Sequence, residues 1–171
     1  MRAAFGAAAA LICLAGNVQA AALQACDLTL AVIDTDPRGT NVRATPGGKV
    51  MVALKTSPDP QILEDWIEVH VVGQSGDWFL IDGAKDMGDN EKTIFRGKGY
   101  LHRSVLGASG LENGFPLWSD HDEKSPMIAK WTSGDESVNF LGCWGHFAKV
   151  RIKQGVGWTE NLCTNQRTTC P

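Results

Sequence analysis

The segment "VGQSGDWFLI" (72–81) returns as "LGCWGHFAKV" (141–150), and this repetition limits the available folds more than any other feature of the chain. Gly73 matches Gly142, Gly76 matches Gly145, Trp78 matches Phe147 and Ile81 matches Val150, all at an offset of 69 residues. Further on, "GKGYLHRSVL" (97–106) is answered by "GVGWTENLC" (155–163) at an offset of 58, so that Gly97, Gly99 and Tyr100 correspond to Gly155, Gly157 and Trp158. The first copy therefore carries an excess of eleven residues within 82–96, which reads as a long hairpin loop. Upstream, "NVR" (41–43) and its turn at Pro46, Gly47 and Gly48 are echoed by "PLWS" (116–119) and the polar stretch 120–125. A duplicated unit of roughly 60–75 residues is expected. The small residues 107–110 serve as the linker. Two small barrels packed together are preferred, and two units sharing one long core are the alternative.

The periodicity within each copy is that of strands. "LTLAVI" (28–33) and "WIEVHVV" (66–72) are rich in β-formers, and "KVRIK" (149–153) alternates apolar with charged residues. Alternation of this kind marks a strand with one wet face. Gly, Pro, Asp and Ser punctuate these runs at short intervals. In the second copy Gly142 to His146 reads as a turn between two strands. Gly157, just before a large aromatic, marks a place where two backbones approach closely. The mature chain is expected to be all-β.

The first twenty residues stand apart. Met1 and Arg2 supply a positive charge, residues 3–15 are apolar, and Val18, Gln19 and Ala20 form a small-x-small ending. This is the pattern of a secretory signal peptide cleaved near Ala20. The apolar run is too short to span a membrane, and no later run reaches the necessary length. A periplasmic or secreted location follows as the expectation. The alternative is a lipoprotein, because "LQAC" (23–26) resembles a lipobox that would acylate Cys26. Loss of Arg2 takes the formal charge from −3 to −4. With no clustered basic run, nucleic acid is not an expected partner. Cys26, Cys143, Cys163 and Cys170 remain after the leader, an even number that suggests disulfides with three possible connectivities.

From Cys26 to Leu106 the motifs "TNVRATPGGKV", "SGDWFLI" and "GYLHRSVL" occur in an order that resembles the bacterial SH3 (SH3b, SH3 type 3) domain family. The second copy keeps "GHFAKV" and "GWTENLC" but has lost the NVR signature, and it resembles a divergent member. The resemblance implies two SH3-like β-barrels in tandem, one over 26–107 and one over 108–171. It implies that Arg43 sits at the start of a ligand-facing loop. It further implies that the turn at Cys143 lies near the end of the last hairpin, so that Cys143 would pair with Cys163 and Cys26 with Cys170.

The usual signatures of catalysis are not in the sequence. His70, His102, His121 and His146 lack metal-site spacing. His121, Asp122 and Glu123 read as a solvated loop rather than a cation site. Asp82, Asp86, Asp89 and Glu91 lack EF-hand spacing and read as a charged hairpin tip. "GQSG" (73–76) is not a nucleophile elbow. Cys143 near His146 reads as a disulfide cysteine rather than a nucleophile. No cofactor or metal is expected. The six tryptophans are more telling. Trp78 and Trp158 fit barrel strands, while Trp118, Trp131 and Trp144 lie in loop-like surroundings. By analogy with the SH3 groove, Trp144 borders the ligand. The expected ligand-binding residues are Arg43, Trp78, Trp118 and Trp144. The expectation is thus an exported, non-enzymatic binding protein for peptidoglycan or for a peptide segment of an envelope protein. The alternative is a periplasmic inhibitor or immunity protein that uses 82–96 as a wedge against a hydrolase.

Overall fold

Alternation of buried and exposed residues is clearest in strand β4 (Ile67–Ser75), where Ile67, Val69 and Val71 point inward and Glu68, His70 and Val72 are partly exposed. Strand β1 (Gln24–Val32) does the same with Cys26, Leu28 and Leu30. One apolar face and one wet face require a partner layer for the apolar side. The computed structural model describes residues 22–55, 66–88, 91–108, 114–131 and 138–164. The leader at 1–20, Cys170, Asp89 and the linker residues Ser109 and Gly110 lie outside the described residues.

The remaining strands are β2 (Thr40–Arg43), β3 (Val50–Leu54), β5 (Trp78–Asp86), β6 (Lys92–His102), β7 (Leu106–Gly107), β8 (Phe115–Trp118), β9 (Met127–Trp131), β10 (Asn139–Trp144), β11 (Phe147–Ile152) and β12 (Gly155–Thr159). Among the described residues the only helical element is a 3-10 turn at Arg103–Val105. The strands form two antiparallel sheets, ordered β3-β2-β6-β5-β4-β1-β7 and β9-β8-β12-β11-β10. The second order is the first without its last two strands.

Pairing registers carry the duplication down to single residues. In the first sheet Val71 faces Ile81 and Gly73 faces Leu80 across a bulge; in the second Phe140 faces Val150 and Gly142 faces Lys149 across the same bulge. Tyr100 pairs with Leu80 and Arg43, and Trp158 pairs with Lys149 and Trp118. Arg43 and Trp118 therefore occupy matching positions. Both central hairpins close through two residues, Gly76 and Asp77 or Gly145 and His146. Gly76 and Gly145 have φ of 59° and 53°, and the second residue does not share this conformation. That sign pattern is the one of a II′ turn, which needs Gly at its first position.

Gly99 and Gly157 match as well. A Cβ on Gly99 would lie 2.3 Å from Val42 Cγ1, and a Cβ on Gly157 would lie 2.8 Å from Leu117 Cβ and 2.9 Å from the Trp118 carbonyl oxygen. Both glycines let β6 or β12 cross closely over β2 or β8, as expected for Gly157.

Several details depart from the sequence reading. The turn is confined to Gly145 and His146 rather than spanning Gly142–His146: β10 runs on to Trp144, and the bulge absorbs Gly142. The excess in the first copy is mostly paired rather than a loop, since Gly83 faces Arg96 and Asp86 faces Lys92. Trp131, read as lying in loop-like surroundings, is on strand β9, fully buried, and packs edge-on against Phe115 at 4.6 Å. The sheets meet in one contiguous apolar core. Phe79 of the first sheet lies 4.8 Å from Phe140 of the second.

Cys26 and Cys143 are disulfide-bonded, with Cα atoms 5.7 Å apart. This corrects the expected Cys143–Cys163 and Cys26–Cys170 pairs. The reason is visible in the backbone: β1 runs beside the β10–β11 turn, with a parallel bridge from Cys26 to Gly145. Asp27 N–H donates to the Gly145 carbonyl at 2.8 Å and Gly145 N–H to the Ala25 carbonyl at 3.1 Å. Cys163 is also disulfide-bonded. Among the described residues no helix is long and apolar enough to cross a membrane.

Candidate functional site

In the first sheet the β2–β3 connection folds back as a tight turn. Gly48 N–H donates to the Thr45 carbonyl and Ala44 N–H to the Lys49 carbonyl, each at 2.9 Å. Arg43 is held by this turn, since its Nη1 donates to the Gly48 carbonyl at 2.7 Å. Its guanidinium then lies over the Trp78 ring, 5.9 Å from the centroid. His102, the cross-strand neighbour of Trp78, meets the same indole edge-on at 5.1 Å. Two of the expected ligand-binding residues, Arg43 and Trp78, are thus brought together. The result is a half-buried aromatic surface with a cation on it.

The second sheet builds the matching surface differently. Ser119 N–H donates to the Pro126 carbonyl at 2.9 Å, the counterpart of the Ala44–Lys49 bond. Two more residues lie between these anchors than in the first copy. The longer turn is pinned internally: Ser125 N–H donates to the Asp122 carbonyl, Lys124 N–H to Asp122 Oδ1 and Asp120 N–H to Ser125 Oγ. It carries His121, whose ring lies 4.4 Å from Trp144 and 5.5 Å from Trp158. Trp144 remains 48% exposed. Lys149 Nζ sits 5.4 Å from the Trp158 ring centroid.

Trp118 stands opposite Trp158 in the ladder, and its indole N–H is buried with no hydrogen-bond partner. Such an orphan donor costs about 1–3 kcal/mol. Trp118 and Trp144, the other two expected residues, therefore belong to the second face and Arg43 and Trp78 to the first.

Charge further distinguishes the second face. The Asp120 carboxyl is held below its ordinary value, first by the His121 backbone N–H and also by the His121 ring and Lys149. The Glu160 carboxyl is pushed up, by burial first and then by its hydrogen bond to Glu123 and the charge there.

A separate cluster ties the two sheets together. His70 Nδ1 lies 2.8 Å from Asp82 Oδ1 and its Nε2 lies 2.9 Å from Asp27 Oδ1. His146, from the β10–β11 turn, reaches Asp27 Oδ2 at 3.4 Å. Only the doubly protonated imidazole donates to two carboxylates at once. The His70 pKa is raised, chiefly by the bond to Asp27, with burial opposing and Asp82 adding to the rise. Beside this histidine lies a concavity of about 450 Å³ lined by residues including Glu68, His70, Lys85, Phe95 and Arg96. Among the described residues no group of three or more His, Cys, Asp or Glu side chains is placed to hold a metal ion.

Sequence reasoning missed the roles of His121, Trp158, Lys149, His102 and the His70 cluster. For His121 the available signal was the longer polar turn opposite a Trp-bearing hairpin. His70 and Asp27 are 43 residues apart, and nothing local announces their contact.

The chain was compared with protein-family models, curated proteins and solved structures, and none matches.

Proposed function

We propose that this is an exported, non-catalytic binding protein of SH3b type, and that its two aromatic faces grip a cell-envelope ligand, either peptidoglycan or a peptide segment of an envelope protein. The observation that carries the reading is the second face, where a half-exposed Trp144 is stacked on a histidine held by a pinned turn. An exposed indole kept in one orientation presents a large stacking surface at small entropic cost. Several features support the SH3b assignment. A first strand is followed by the β2–β3 hairpin, then three consecutive antiparallel strands. After them come a 3-10 turn and a short strand that returns onto β1. The twofold occurrence of the face fits a binder that gains avidity from two linked sites.

The test is co-sedimentation of mature protein with purified peptidoglycan, alongside capture from an extract of envelope proteins. Wild type is expected to bind one of the two. Trp78→Ala and Trp144→Ala should each weaken binding about tenfold, and the double variant should abolish it. Absence of wild-type binding to either preparation overturns the reading.

A further inference from the structure

Two rows of side chains cross the wet face of the first sheet, and one of them has a gap. Thr29 on β1 faces His70 on β4, His70 faces Gly83 on β5, and Gly83 faces Arg96 on β6. Residues opposite one another in a ladder present their side chains on the same face. The adjoining row runs from Glu68 through Lys85 to Thr93. At the centre of the first row Gly83 has no side chain. A Cβ placed there would meet nothing nearer than the Phe95 carbonyl oxygen, at 3.8 Å. His70 and Arg96 therefore stand two strand spacings apart, about 10 Å, with open floor between them. This is the concavity of about 450 Å³, and half-buried Phe95 belongs to its lining.

The bonds already made by the lining decide what it can receive. Both imidazole nitrogens of His70 are spent on Asp27 and Asp82. Lys85 Nζ is spent on Glu91 at 2.6 Å. Glu68 Oε1 accepts from the Thr164 hydroxyl at 2.6 Å and from the Trp66 indole at 3.3 Å. Arg96 is exposed, and its guanidinium has no hydrogen bond or ion pair among the described residues; the hydroxyls of Thr29 and Thr93 have none either. The carboxylates at the cavity are thus matched by donors, and a fork of N–H groups with one uncompensated positive charge is left over. A guanidinium takes a carboxylate through two parallel N–H···O bonds. The cavity admits more than the carboxylate itself, since small-molecule sites run from about 300 to about 1,000 Å³. We infer that this trough is a separate binding site for a carboxylate carried on a small apolar body, with the carboxylate on Arg96 and the body over Gly83 beside Phe95. It is independent of the two aromatic faces and of the reading built on them. Two sources share this chemistry, the free C-terminus of a peptide and a small organic acid.

The test uses the oxidised protein and follows the backbone amide shifts of Gly83 and Arg96 by NMR. The probes are benzoate, N-acetyl-Ala-Ala, the neutral amide of each, and inorganic phosphate. Each acid should saturate these shifts, with its amide at least about tenfold weaker. Arg96→Gln should weaken both acids at least about tenfold. Gly83→Val, which puts a side chain on the open floor, should do the same. Lys153→Gln removes a like charge from the second sheet and should leave affinity unchanged. Far-UV circular dichroism checks that each variant is folded. Tighter binding of N-acetyl-Ala-Ala assigns a peptide end and tighter binding of benzoate a free acid; either order supports the site. Amides as strong as the acids, no saturation by either acid, full affinity in folded Arg96→Gln, or shifts confined to the Trp78 and Trp144 indoles overturn the inference. Phosphate as strong as the acids overturns the carboxylate assignment. The envelope-binding test above can fail without changing any of these readings.

Discussion

At the scale of single residues, His70 shows how a modest surface histidine becomes a structural clasp. Its ring bridges β1 and β5 through Asp27 and Asp82, and Asp27 in turn meets His146 from the second sheet. The sign of the pH dependence follows from the directions of the shifts. The raised His70 value gives stability that is complete below its ordinary 6.5 and is lost as pH rises through the folded value. The lowered Asp27 value, set first by the bond to His70, gives stability that is complete above 3.8 and is lost as pH falls through the folded value. The clasp is therefore fully formed between these two pH values. Because the His70 side chain is 44% exposed, solvent screening keeps the effect small. His70→Asn should lower the melting temperature by roughly 2 °C at pH 5.5 and by less at pH 9. A melting-temperature difference that is flat or larger at pH 9 would remove the clasp from the account.

At the scale of elements, the strand ladder depends on glycines at two crossings. Gly99 faces Val42 and Gly157 faces Leu117 and the Trp118 carbonyl, at distances no Cβ tolerates. The Trp118 carbonyl is part of a paired strand and cannot rotate away. Gly99→Ala and Gly157→Ala are each expected to cost about 1–3 kcal/mol, as overpacked sites do, measured by urea denaturation. Variants as stable as wild type would mean that the crossing is looser than described. These glycines also mark what the sequence made legible. The offsets of 69 and 58 residues matched strand to strand and Gly73 to Gly142, Gly76 to Gly145, but that Gly73 and Gly142 sit at bulges was not legible in them. A strand's period of two and the demands of a tight turn are local, so a repeat in sequence becomes a repeat in register. The seats of Trp118, Trp131 and Trp144 were not legible. Whether an indole on a strand points to core or solvent depends on which layer covers it, and that layer comes from residues far away in the chain. Trp131 is buried because it shares with its cross-strand partner Phe115 the face of β8 and β9 that joins the common core. Trp144 is exposed because it follows the buried Cys143 on β10 and so takes the opposite, wet face of the strand.

At the scale of the whole molecule, the question is whether two copies behave as two folding units. Their sequence kinship would suit independent barrels, but contacts of several kinds cross between the two copies. The core runs from Leu30 and Phe79 through Phe140 to Val150 without a gap. Gln74 Oε1, at the end of β4, accepts the Cys143 N–H at 2.9 Å. Thr164 donates its hydroxyl to Glu68 at 2.6 Å. The Cys26–Cys143 disulfide closes a loop with a sequence separation of 117 and fastens β1 to β10. The pairing escaped the sequence reading because an offset repeat says nothing about how the copies dock; that is decided by the apolar faces left over once each sheet has formed. Closure of so long a loop removes much of the unfolded chain's freedom, with about 4–5 kcal/mol expected from loop entropy alone. The oxidised protein should therefore unfold in one transition, with tryptophan fluorescence and far-UV circular dichroism coinciding. The Cys26→Ala/Cys143→Ala variant should lose about 2–5 kcal/mol. Its transition should stay single, because the shared core remains. Two resolved transitions in the oxidised protein would mean that each copy folds alone and that the disulfide only tethers them.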